Sequence, residues 1–230
     1  MTALAKCRFG FNGNTLKIIA AVTMTIDHIG HLFFPGQTAW RIIGRIAMPI
    51  YAFMVAEGCC HSRNKLRYFL MMLGLGLLCQ PIYPTFARTW AMSIPVNYAM
   101  SILMFMLLEQ AVKERSLPWG ILFVMSLIPA YHISETLKID YGFWGCLLPV
   151  FCAIPPLLGR KERWLQVLAL GIGLICLCQD SSKVQWWSLM ALPLLLLYNG
   201  NRGKLPLKYF FYVFYPLHLA VLTGLALLLR

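Results

Sequence analysis

Long apolar runs dominate this chain: residues 18–34, 46–60, 66–84, 94–112, 117–133, 142–158, 164–179, 184–198 and 209–229. A helix needs about 20 apolar residues to cross the hydrocarbon core of a bilayer, so each run is a candidate span. The second, seventh and eighth are short, and would start earlier or lie tilted. The connecting segments are brief and leave no room for a soluble domain. Few runs alternate with period two, as a barrel would require. The expected fold class is therefore all-α, a polytopic transmembrane helical bundle of about nine spans forming one domain over residues 1–230. Composition points the same way. The chain is 60% apolar and 12% charged, against about half and a quarter in soluble domains. That excludes a disordered chain or a disulfide scaffold. The eight cysteines form no Cys-x-x-Cys pair. They suit small buried hydrophobes, and no metal site is expected.

The net charge is +12. On a soluble protein this would suggest nucleic acid, but here no such partner is expected. Basic residues gather in the cytoplasmic loops of membrane proteins. With nine spans, one side carries 14 Lys and Arg, among them Lys6, Arg8, Lys17, Arg63, Arg67, Arg202, Lys204 and Lys208. The other side carries 6, including Arg41, Arg45 and Arg230. This alternation predicts a cytoplasmic N-terminus. The start, Met1 to Lys17, shows no small-residue cleavage site after the first apolar run, so that run is expected to be retained. Asn14 or Thr15 is the expected cap of its helix. No internal repeat is visible.

Ionisable groups inside a span cost about 2.5–3.5 kcal/mol each on insertion scales. The first run holds Asp27, His28 and His31, and the last holds His218 behind Pro216, which is expected to break the helix. The second brings Arg41 and Arg45 in from one side and Glu57 from the other. At about 1.5 Å per residue, Lys17 to His28 spans roughly 16 Å and Lys208 to His218 about 15 Å. The two histidines should therefore lie level, with Arg45 slightly above. Asp27 and His28 point about 100° apart, whereas Asp27 shares a face with His31 and could hold its imidazole. A histidine with its tautomer fixed suits general base work near neutral pH. Plainer roles are open as well. The histidines can act as hydrogen-bonding glue between helices, Asp27 can pair with Arg45 for assembly, and Glu57 can snorkel to the interface.

The phrases LKIIAAVTMTIDHIG, RIIGRIAMPIYAFMVAEG, ALPLLLLYNGNRG and LKYFFYVFYPLHLAVL, in that order, resemble the TraX family. The resemblance covers essentially the whole chain. It implies a polytopic protein of the bacterial inner membrane, N-terminal acetylation of a pilin as activity, and acetyl-CoA as co-substrate. The spacing from Lys17 to His28 is also similar to that of a basic residue and a histidine in the large integral-membrane acyltransferase family. These resemblances imply His28 as general base or transient acetyl carrier. Asp27 would orient a histidine or offset positive charge. Arg45 would stabilise the acyl oxyanion or position the acceptor, and His218 would be a second acid/base or a hydrogen-bonding partner. Lys17, Arg63, Arg67, Arg202 and Lys204 would meet the CoA phosphates. The acceptor, a pilin-like protein or a glycan, would enter from outside. Two other functions compete: a proton-linked transporter using Asp27, His28 and Glu57, and a non-catalytic assembly factor for a surface structure.

Overall fold

The computed structural model describes residues 10–229. Expectations resting on Lys6, Cys7, Arg8 and Arg230 lie outside the described residues. The elements are α1 (Gly13–Phe33), α2 (Thr38–Gly44), α3 (Ala47–His61), α4 (Lys65–Cys79), α5 (Tyr83–Ala87) and α6 (Ile94–Lys113). They continue with α7 (Leu117–Thr136), α8 (Gly142–Leu157), α9 (Arg163–Gln179), the 3-10 helix η1 (Lys183–Met190), α10 (Ala191–Leu196) and α11 (Lys208–Leu228). Among the described residues there is no strand, only the isolated bridges Phe11–Tyr198 and Met92–Ile139. The protein is all-α. Among the described residues, five helical stretches are long and apolar enough to cross a membrane: Gly13–Phe33, Thr38–His61, Ile94–Lys113, Leu117–Thr136 and Tyr209–Leu228. Shorter apolar helices, Gly142–Leu157 and Arg163–Gln179, accompany them.

Three local expectations are corrected. The run 184–198 is not one α-helix but a 3-10 segment followed by the six-residue α10. Pro193 has no N–H to give the carbonyl of Leu189, which disfavours a continuous α-helical ladder there. The cap of α1 is Asn12, two or three residues earlier than expected, and its side chain accepts the N–H of Thr15 at 3.0 Å. Asn14 instead donates from Nδ2 to the Leu205 carbonyl at 2.7 Å. Finally, Pro216 does not break α11, which runs through it from Lys208 to Leu228. Apolar spans tolerate such prolines where neighbouring groups satisfy the freed carbonyl.

The chain divides into two compact units, residues 1–54 with 174–230 and residues 55–173, the divisions falling inside α3 and α9. In the first unit the start of α1 is clasped by the segment before α11. Gly13 and Asn14 donate backbone N–H groups to the carbonyls of Asn201 (2.7 Å) and Arg202 (3.0 Å). Phe11 and Asn199 close the bridge beside them, through bonds of 2.9 Å to Leu197 and from Asn199 to Phe11. These bonds use amides that a helix N-terminus otherwise leaves unpaired. α1 and α2 then approach closely because Gly30 lies against Trp40 and Gly44 against Asp27. A Cβ on either glycine would overlap those side chains.

In the second unit α6 packs against α4, α7 and α8. Gly76 of α4 lies against Val96. Asn97 donates from Nδ2 to the carbonyls of Asp140 (2.9 Å) and Gly142 (3.0 Å), tying α6 to the start of α8. Met104, Ala130, Cys146, Leu147 and Val150 form the core between α6, α7 and α8.

Candidate functional site

The site lies within the first unit and is built on α1, where Asp27 and His28 follow one another. Consecutive helical residues point about 100° apart, so each side chain serves a different neighbour. Asp27 turns to the junction of α2 and α3. Its Oδ2 accepts from Arg41 Nη1 at 2.7 Å and its Oδ1 from Arg45 Nη2 at 2.9 Å. Gly44 makes this possible, because any larger residue would occupy the space of the Asp27 side chain. Asp27 and Arg45 are both buried. Arg45 also donates from Nη1 to Gln185 Oε1 at 3.0 Å, and from Nε to the Arg41 carbonyl at 3.3 Å. Both carboxylate oxygens of Asp27 are thus engaged by guanidinium groups.

His28 turns to α11. Lys17 Nζ sits 5.9 Å from the centre of the Phe211 ring near the start of both helices. Farther along both, His28 Nδ1 lies 2.8 Å from His218 Nε2. The two helices therefore run in the same direction, with the histidines level. The network assigns the protons of the neutral pair. His218 Nδ1 lies 2.9 Å from the backbone carbonyl of Phe214. A carbonyl only accepts, so that nitrogen carries the hydrogen. His218 Nε2 is then the acceptor, and His28 Nδ1–H donates to it. This tautomer places the lone pair of His28 on Nε2. Phe214 stacks on His218 with centroids 4.9 Å apart and planes within 9°. This holds the second imidazole in place. His28 is half-buried and His218 buried.

The family described as TraX protein matches this chain over residues 12–226. The chain belongs to the TraX family. The match takes in both histidines, Asp27 and both arginines. This TraX chain is also 27% identical to the probable fimbrial assembly protein FimC, serogroup H1, of Dichelobacter nodosus, over 96% of its own length and 98% of the relative. It is 32% identical to an uncharacterized protein of Rickettsia prowazekii (strain Madrid E), over 55% of this chain and 49% of that protein. No solved structure matches it.

The basic residues expected to meet CoA phosphates fall in both units of this TraX protein. Lys17 lies in α1 and Arg202 and Lys204 in the segment before α11, all within the first unit. Arg202 and Lys204 are exposed, and the Arg202 backbone is bound to the start of α1. Arg63 and Arg67 belong to the second unit, exposed at the start of α4. Glu57 does not snorkel free. Its Oε1 receives Arg163 Nη1 and Gln166 Nε2, each at 3.2 Å. Sequence reasoning missed Gln185 and the Phe214 carbonyl. Neither carries a charge, so neither stands out by its cost in an apolar run.

Proposed function

We propose that this TraX chain is an integral acetyltransferase of the bacterial inner membrane. It would move an acetyl group from cytoplasmic acetyl-CoA to an amine or hydroxyl presented from outside. The observation that carries the reading is the directed imidazole pair. His28 has its proton on Nδ1 fixed by His218, and its Nε2 lone pair suits proton abstraction from an acceptor. When Nε2 takes that proton, the Nδ1–H bond to His218 becomes charge-assisted and stronger. His218 passes the polarisation on to the Phe214 carbonyl. Asp27 holds Arg41 and Arg45, and Arg45 offers positive charge to the acyl oxygen. Lys17, Arg202 and Lys204 of the first unit suit the phosphates of CoA, since guanidinium and ammonium groups bind them well. The roughly 16 Å of helical rise from Lys17 to His28 is the distance that the thioester arm would bridge.

In the transfer, the acceptor N–H or O–H gives its proton to His28 Nε2 while its lone pair attacks the thioester carbonyl carbon. The C=O π pair moves to oxygen. Collapse re-forms C=O, breaks C–S, and the departing thiolate takes the proton from His28. The name of the Dichelobacter relative favours a pilin-like acceptor and a place in fimbrial assembly. The same name also favours a second reading, a non-catalytic assembly factor. Purified protein in nanodiscs, given labelled acetyl-CoA and a peptide with a free N-terminus, separates the two. Acetylated peptide is expected from the wild type, with a loss of about 10²–10⁴-fold for His28→Ala at an unchanged melting midpoint. Undiminished transfer by a folded His28→Ala protein rejects the mechanism, and a wild type without transfer favours the assembly factor. A melting midpoint that rises with CoA concentration is expected as well.

A further inference from the structure

Gln185 has no place in the mechanism above, yet its amide is held in one orientation. Arginine has five donors and no acceptor. The side-chain group facing Arg45 Nη1 at 3.0 Å must therefore be the Gln185 oxygen. This turns Nε2, with its two N–H bonds, away from the guanidinium. Gln185 is only 2% exposed, and its Nε2 meets no hydrogen-bond partner. A buried donor left unpaired costs stability, so one that persists calls for an explanation. The neighbouring charges say what it awaits. Asp27 brings one negative charge, while Arg41 and Arg45 bring two positive ones. A vacant N–H beside surplus positive charge favours an oxygen acceptor, above all one that gains negative charge.

We propose that Gln185 is a catalytic residue of the acetyl transfer, donating from Nε2 to the thioester carbonyl oxygen. The inference rests on the acetyltransferase reading. As the acceptor attacks, the carbonyl π pair becomes an oxyanion lone pair, and the Nε2–H bond strengthens with the charge. Arg45, anchored by the oxygen of the same amide, supplies the field. When C=O re-forms and C–S breaks, the bond relaxes again. A donor placed this way acts on the transition state more than on bound substrate.

Gln185→Glu is the deciding variant. It keeps an acceptor for Arg45 and nearly the same shape, but removes the donor. If the side chain only anchors Arg45, the carboxylate does so at least as well. Expected is a fall in kcat of about 10²–10³-fold, with KM for acetyl-CoA within about two-fold and the melting midpoint maintained. Gln185→Met, close in volume and without the amide, guards against a folding failure of the first variant. When folded, it should lose at least as much. Wild-type kcat in either folded variant overturns the assignment while leaving the acetyltransferase reading intact. A wild-type protein that transfers no acetyl group overturns both.

Discussion

Asp27 binds two guanidinium groups, and Arg45 is buried with it. Removing one partner of a buried ion pair strands the other in a medium of low dielectric constant. Asp27→Ala is therefore expected to lower stability by about 3–5 kcal/mol, read as a lower thermal midpoint in detergent. The histidines allow a finer test. His218→Phe deletes the acceptor that keeps the proton on His28 Nδ1. Nitrogen-15 shifts of labelled histidine should show a single Nδ1–H tautomer for His28 in the wild type and a mixture in the variant. A mixture in both would contradict the network. Depth was legible in the sequence because helical rise is nearly constant, so counting from Lys17 and Lys208 places the histidines level. The orientation of the pair was not legible. It depends on a backbone carbonyl of α11, which every residue possesses and no residue type advertises.

Close approach of α1 and α2 decides whether Asp27 reaches the arginines at all. Gly44→Ala would push a methyl group into the Asp27 side chain. Overpacking of this kind costs about 1–3 kcal/mol, so a lower melting midpoint is expected, together with loss of any acetyl transfer. The boundaries of α1, α3, α6, α7, α8, α9 and α11 follow the apolar runs to within a few residues, because burial in lipid or protein demands continuous apolar length. The run 184–198 shows where such reasoning stops. Its apolar residues look like a span, but the 3-10 backbone of η1 carries Gln185 inward. Hydropathy scores side chains and is blind to the pitch of the helix that bears them. The Asn12 cap was similarly hidden, because which asparagine accepts the amide depends on where the 199–205 segment closes over the helix.

Among the described residues, large apolar side chains are exposed as well as buried, as expected where lipid and not water is the surroundings. α7 shows this best, with Leu122, Val124, Met125 and Ile128 all exposed. A charge at Ile128 should be resisted by the bilayer, costing about 2.5–3.5 kcal/mol. Ile128→Arg is expected to reduce the membrane-integrated fraction, whereas Ile128→Leu should not. The site draws on the helices at the two ends of the described chain. His28 and His218 stand 190 positions apart and are joined by one hydrogen bond, and the clasp from Asn201 and Arg202 to α1 spans a similar stretch. A ribosome making this protein therefore exposes the first imidazole long before its mate exists. Until α11 packs against α1, a nascent or prematurely released chain holds an imidazole with no assigned proton and an unclosed helix start. Closing of the imidazole pair and of the clasp thus waits on the making of α11.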